Sequence, residues 1–497
     1  MCSQHDEDGD TRLDGTDENG RRPSAGKRAG SESVARGGGG AEDDGVPDWE
    51  NMVLPPEHIL SHLTDAHCHP TDLTHLSEVY DAVPLGGLAS MATIVDDQDR
   101  VRTLSEERGW YSAREKGKGR EGRGVGVVAC FGYHPWFTHL YTLSSSSSLP
   151  TKEEHYISLF CTPNSAPSSK NRQLLSTLLP YLPNPVPFEG LLVKLREDIK
   201  RSIESGRLTM LGEVGLDGSA RMRWPRKAKH LHPDHRDNEQ QISTSSEDKG
   251  DGAQEEEEGK EDQEEWKRLT PFKVPMSHQR AILEAQMEIA IDLGVNVSLH
   301  SVSCAGPTLD TLIGIRDQHG TRFTNRINVD LHSVGGWSPA FWTQAERNLS
   351  NLYASPSILI TGRSPTASQL IRSISPRRIL VESDSHDVRL SSRLVWAATE
   401  WISRCKKWNL EGGGSDGEDV PEWDFWDQEG VKRKPMEEGG EEEEEEEEKA
   451  EEEEEEEDQF DEKGRLKDIK KEVEEGETWT VKTLERNWAR FMRLIED

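Results

Sequence analysis

Several absences narrow what this chain can be. Its 497 residues hold six cysteines, at 2, 68, 130, 161, 304 and 405, and none belongs to a Cys-x-x-Cys pair. That suits reduced thiols in an intracellular protein better than a disulfide framework. No run of 18 apolar residues occurs, and the opening MCSQHDEDGDTRLDG has no apolar stretch of a secretory leader. The expectation is a soluble protein of the cytoplasm, the nucleus or both, without a membrane partner. RRPSAGKR at 21–28 and KRK at 432–434 are weak nuclear-import signals, since basic clusters of that size are usually plain surface.

Basic residues are also scarce: 60 Lys and Arg face 94 Asp and Glu, a formal charge of -34. The excess is local. Glu437 to Asp458 holds 18 acids and one lysine, and Glu247 to Glu265 holds 11 acids and two lysines, so these stretches carry -26 of the -34. The acidity belongs to solvated segments rather than to a folded core. It argues against a general polyanion-binding surface, but not against a local metal site that binds phosphate.

What is present begins after a Gly-, Asp- and Ser-rich stretch, 1–48, that reads as a disordered tail. From Ile59 short apolar runs recur: LTDAHCH (63–69), GLASMATIV (87–95), GVGVVACFGYH (124–134), LTMLGEVGLD (208–217), VNVSLHSV (295–302), RINVDLHSV (326–334), SILITG (357–362) and RRILVESDS (377–385). Amphipathic helix patterns separate them. The clearest is HQRAILEAQMEIAIDLG (278–294), with Ala281, Ile282, Ala285, Ile289 and Leu293 at three- and four-residue spacing and Gly294 as a stop. Eight strands alternating with helices predict an α/β protein with a TIM-like (β/α)8 barrel, although periodicity is shared with open doubly wound sheets.

The expected barrel covers 59–408, with insertions at about 142–187 and 226–270. A disordered acidic insertion at 409–476 follows, and a C-terminal helix, 477–497, returns to pack on the barrel through Leu484, Trp488, Phe491 and Leu494. No internal repeat is visible.

The strand ends carry the chemistry. Asp65, His67 and His69 alternate along the first run, so they share a strand face, and Cys68 faces the other way. His134 ends the third run, Glu213 and Asp217 the fourth, His300 the fifth, His332 the sixth, and Glu382 and Asp384 the eighth. Active sites of α/β barrels lie at these C-terminal ends. One such histidine is commonly a hydrogen-bonded structural residue; five at the ends of eight runs are hard to place by accident. His67, His69, Glu213, His300, His332 and Asp384 can hold two divalent ions, with Glu213 as the natural bridge.

The motifs DAHCHP, GYHPW, LGEVGLD, VSLHS, LHSVGG and VESDS, in that order, resemble those of the TatD family of metal-dependent deoxyribonucleases, within the amidohydrolase-type metallohydrolase barrels. The likeness spans roughly 62–217, 270–408 and 478–497, with the insertions outside it. It implies a TIM-like metallohydrolase barrel and two divalent ions, usually magnesium, with manganese or zinc possible. It also implies hydrolysis of phosphodiester bonds in DNA, as single strands or 3′ ends.

Carried over by position, His67 and His69 hold one ion, His300 and His332 the second, and Glu213 bridges them. Asp384 binds the first ion and handles a proton. His134 contacts the substrate phosphate or the leaving group; catalysis thus rests on Asp384, Glu213 and His134. Asp65, Asp217 and Glu382 would orient the ligand imidazoles, although Glu382 also reads as a solvated strand-end carboxylate. Arg221, Arg223 and Arg226 suit phosphate.

Two departures stand out. Trp136 occupies the place of the family's second histidine, where its ring either packs or stacks on a base, and SDSHD brings in His386. The long insertions resemble a fungal branch linked to a tetratricopeptide-repeat subunit of the anaphase-promoting complex. That makes a binding scaffold with weak or secondary hydrolysis the alternative function, and a zinc amidohydrolase a further one.

Overall fold

A computed structural model describes residues 44–110, 124–161, 169–233, 268–412 and 478–495. Both basic clusters and both acidic stretches named above lie outside the described residues. So does most of the tail expected at 1–48. Asp44 is in place: its carbonyl accepts from Ser368 Oγ at 2.6 Å and Trp401 Nε1 at 3.1 Å.

Eleven strands are described. In chain order they are β1 (Thr64–Cys68), β2 (Gly87–Met91), β3 (Gly126–Phe131), β4 (Tyr141–Thr142), β5 (Val186–Pro187), β6 (Thr209–Asp217), β7 (Arg221–Arg223), β8 (Leu269–Lys273), β9 (Val297–Val302), β10 (Val329–His332) and β11 (Leu352–Ser355). Seven form one parallel sheet in the order β1-β2-β3-β6-β9-β10-β11. Their residues are buried on both faces, as the near-continuous apolar run GVVACF in β3 requires of a sheet with helices outside and packing within.

The two sheet edges are joined by the chain at 378–385. Ala354 N donates to Arg378 O and Leu380 N to Ala354 O on one side. On the other, Ala66 N donates to Val381 O, Asp384 N to His67 O and His69 N to Ser385 O. This closes the α/β barrel.

One expected strand moves. The seventh is Leu352–Ser355, in register with β10 through pairs such as Val329↔Leu352, and not SILITG at 357–362. Pro356 divides the apolar run NLYASPSILITG, and a proline cannot donate to a sheet ladder. Only the part before it pairs; Thr361–Arg363 forms a 3-10 turn.

The helix Met276–Leu293 ends where its sequence says it should. Gly294 takes a left-handed conformation, φ +64°, and its N–H returns to Ala290 O. The inserted segments build a satellite layer. The helix Lys152–Phe160 starts with a capping box between Thr151 and Glu154. Tyr156, Phe160, Leu175, Leu178, Met222, Trp224 and Phe272 share a small apolar core, bounded by the antiparallel pair β7–β8.

The helix Thr480–Phe491 fills the barrel at the end opposite the rim formed by the C-terminal ends of the parallel strands. Trp488, Phe491 and Met492 pack on Ala66, Val128, Met210, Tyr353 and Leu380. Asn328 Nδ2, just before β10, donates to Phe491 O at 2.9 Å. Among the described residues no helix is long and apolar enough to cross a membrane.

Candidate metal centre

Parallel strands deliver their last side chains to one rim, and the predicted donors meet there. Glu213, on β6 beside a cis peptide bond to Gly212, sits at the middle with its two oxygens facing different partners. Its Oε2 lies 3.4 Å from His69 Nε2 and 3.7 Å from His67 Nε2. Its Oε1 lies 2.8 Å from His300 Nδ1, 2.8 Å from His332 Nε2 and 3.1 Å from His134 Nε2. Asp384 Oδ1 joins the first group, 3.6 Å from His69 Nε2 and 3.9 Å from His67 Nε2. The rings of His67 and His332 stack between the groups at 3.7 Å. All six expected ligands therefore converge, as does His134.

The outer atoms of these imidazoles decide which can present a lone pair inward. His300 Nε2 lies 3.3 Å from Asp217 Oδ2 and its Nδ1 2.8 Å from Glu213 Oε1; a carboxylate can only accept, so the ring donates to both, and with Asp217 holding the Nε2 proton it is the Nδ1 proton that a cation would displace. His67 Nδ1 is 2.7 Å from Ser298 Oγ, which leaves Nε2 for the centre when the hydroxyl accepts.

His134 is the reverse case. Its Nδ1 accepts from Trp136 N at 3.2 Å, so the neutral ring carries its proton on Nε2, aimed at Glu213 Oε1. His134 is thus an N–H donor in this arrangement rather than a lone-pair ligand. Burial holds its pKa down to about 4, so the ring stays neutral at ordinary pH.

The other charges follow from this crowding. Burial alone would raise the Glu213 carboxyl, but His134, His332 and His300 hold it well below the carboxylate range. Burial likewise opposes ionised Asp384, which His69, His332 and His67 keep low. His67 is pushed well below its ordinary value by burial and by His332. Burial disfavours charge on His69 and His300, yet Asp384 beside one and Asp217 with Glu213 beside the other raise them to about 9.

Buried nitrogen and carboxylate donors converging from several strands fit divalent cations. Among the described residues three such groups lie within metal-ligand reach: His67, His69 and Glu213; His134, Glu213 and His300; and His67, His332 and Glu382.

The three carboxylates expected to orient ligands behave differently. Asp217 does so directly, through His300. Asp65 gives its carboxylate to Ser383, accepting from N at 2.8 Å and from Oγ at 2.5 Å, and so acts on the backbone next to Asp384 rather than on an imidazole. Glu382 is fully buried rather than solvated. It accepts from Ser333 N and Oγ at 2.7 Å each, with His332 Nδ1 4.0 Å away. Burial and the neighbouring Asp330 and Asp384 push its carboxyl well above the usual range.

Sequence reasoning missed Ser298, Ser333 and Ser355, whose Oγ donates to Glu382 Oε2 at 2.5 Å, because an isolated serine carries no pattern. Ser333 and Asp384 adopt left-handed backbone, φ +48° and +52°, unusual for residues other than glycine and concentrated at functional sites.

The remaining predicted residues line one side of the mouth. Trp136 packs against His134 with ring centroids 4.9 Å apart, and its indole N–H donates to Asp217. Arg221, Arg223 and Arg226 border a cavity beside it. His386 lies across the mouth, stacked on His69 at 5.3 Å and 2.7 Å from Asp72.

Residues 259–411 match the family described as TatD related DNase. The chain is 26% identical over 379 residues to the Cut9-interacting protein scn1 of Schizosaccharomyces pombe, covering 71% of this chain and 95% of that one. It is 23% identical over 328 residues to a Saccharomyces cerevisiae protein named uncharacterized deoxyribonuclease YMR262W, covering 65% and 84%. Among solved structures, YJJV, a TatD homolog from Escherichia coli, aligns at 12% identity over 70% of this chain and 96% of that chain, with a TM-score of 0.32. The matched segment carries His300, His332 and Asp384 of the centre, so over that segment the chain is similar to the TatD-related family.

Proposed function

We propose that this chain is a hydrolase that cleaves phosphodiester bonds of DNA with two divalent metal ions, magnesium being the ion best suited to the task. One observation carries this reading: Glu213 divides the donors, one oxygen facing His67 and His69 and the other facing His300 and His332. A carboxylate so placed can bridge two cations. Bound there, such ions would neutralise a phosphodiester and activate a water toward attack.

The protein's own groups have matching roles. Asp384 keeps an ionised carboxylate at the first group, with Oδ2 3.0 Å from Ser333 Oγ, and can accept a proton from the attacking water. The Nε2–H of His134 can donate to a phosphoryl oxygen or the leaving group. Asp217 fixes the His300 ring, and Glu382 fixes Ser333 beside Asp384.

The test is cleavage of single-stranded DNA by the purified full chain with magnesium or manganese, set against a His67→Ala, His69→Ala variant. Metal-dependent cleavage lost in the variant is the expected result. Equal rates in the two, with the wild type fully metal-loaded, would refute the reading.

A second reading has one observation in its favour, the printed name of the S. pombe relative as an interacting protein. In it the barrel binds a repeat-protein partner and hydrolysis is secondary. Pull-down with such a partner, with and without residues 413–477, tests it; no retention by either form removes it.

A further inference from the structure

Beside the metal centre lies a cavity of about 770 Å³, in the range that accommodates a sizeable ligand (roughly 300–1,000 Å³). Its walls come from the turn after His134, from the first insertion at 180–183, and from the β7–β8 region at 219–227 and 269. Most of these residues lie outside the segments that resemble the TatD family.

Two features of the lining point to one kind of occupant. The first is aromatic: Trp136, Phe137 and Tyr181 are among the lining residues. Trp136 is 43% exposed, yet its indole is tied to Asp217, so it offers a ring of fixed orientation. The second is charge. Arg221, Arg223 and Lys227 stand among the cationic lining residues, and no carboxylate lines the cavity among the described residues, in a chain whose net charge is -34. Arg221 donates to the Pro271 carbonyl at 3.0 Å, a contact that orients the guanidinium without neutralising it.

Rings interleaved with cations are how proteins hold single-stranded nucleic acid, through base stacking and backbone charge. The Trp136 ring lies 6.4 Å from the His300 ring, and Asp217 touches both side chains. A base seated on Trp136 therefore leaves its own phosphate within reach of the centre.

We propose that this cavity is a subsite for a single nucleic-acid strand, which stacks one or more unpaired bases on Trp136 and its neighbouring rings while Arg221 and Lys227 hold the backbone. It deepens the phosphodiesterase reading and rests on it for the strand's direction toward the centre. A duplex keeps its bases stacked within itself, so the subsite selects single strands. An acidic peptide supplies charge but no flat rings, and competes poorly.

The test measures binding by the full chain in excess chelator, so that cleavage plays no part. Fluorescence anisotropy compares a labelled strand of about twelve nucleotides with an abasic strand of equal length, a duplex, and polyglutamate as competitor. The base-bearing strand is expected to bind at least about tenfold tighter than the abasic one. Arg221→Glu with Lys227→Glu should weaken it about tenfold or more and flatten its salt dependence. Tyr181→Ala provides a second variant that leaves charge unchanged, and thermal melting confirms that each variant folds.

Equal affinity for the abasic strand, equal affinity in the variants, or displacement by polyglutamate as effective as by the strand overturns the proposal. Binding that follows these expectations without any metal-dependent cleavage upholds the subsite and removes the hydrolase reading. Cleavage indifferent to the cavity variants does the opposite.

Discussion

At one end of the barrel, Trp488, Phe491 and Met492 sit among the apolar side chains Val128 and Met210 and the Tyr353 ring, with buried Asn296 and Asn328 bonded to the helix's last carbonyl. At the other, five imidazoles converge on Glu213 and Asp384 with nitrogen–oxygen separations of 2.8 to 3.9 Å. The same strands run through both ends. At the apolar end, burial of side chains stabilises the fold directly. At the polar end, the arrangement crowds titratable groups whose pKa values are displaced in both directions, and such crowding is tolerable when cations occupy it. The barrel thus separates stability from chemistry along its own axis.

Three perturbations would break or sharpen that contrast. The largest effect is expected at the mouth, where Glu213→Gln removes the shared carboxylate charge. Metal-dependent hydrolysis should fall on the order of a thousandfold or more, comparable to loss of other central catalytic groups, while the folded state persists. A variant that retains near wild-type rates would dismantle the bridging role.

Next is the floor. Trp488→Ala opens a cavity at a side chain only 3% exposed and should cost about 3–5 kcal/mol in chemical denaturation, with activity per folded molecule unchanged. If activity fell in proportion in fully folded samples, the two ends would not be separable.

The smallest effect belongs to the satellite layer beside the mouth. Burial lowers His139 from 6.5 to about 4. Since the folded value is depressed, the unfolded chain binds more protons between those pH values, and stability is lost as pH falls through that window. The difference corresponds to roughly 3 kcal/mol for this one residue. His139→Phe should flatten that part of a melting-temperature profile against pH, and an unaltered acid limb would assign the loss to other groups.

Much of the centre was legible because alternation in a strand and the common rim of a parallel sheet are rules of local geometry. His67 and His69 had to share a face, and Glu213, His300, His332 and Asp384 followed apolar runs that ended together. SILITG misled because intrinsic strand preference cannot tell which side of Pro356 will find a partner, and pairing with β10 decided that. The inward burial of Glu382 and the aim of Asp65 at Ser383 were equally out of reach, since both depend on residues more than 20 positions away.

What the sequence determined by itself was the set of imidazoles and carboxylates that meet at the rim, their places after the apolar runs, and the helix pattern that closes at Gly294. Only the tertiary structure decided how the set is used. It gave each Glu213 oxygen its own group of imidazoles, turned the His134 proton inward through the Trp136 backbone, and raised an aromatic, cationic cavity beside the centre from two distant insertions. The physical reason is reach: periodicity fixes where a side chain points on its own element, but a hydrogen bond across the barrel is set by the packing of every strand between.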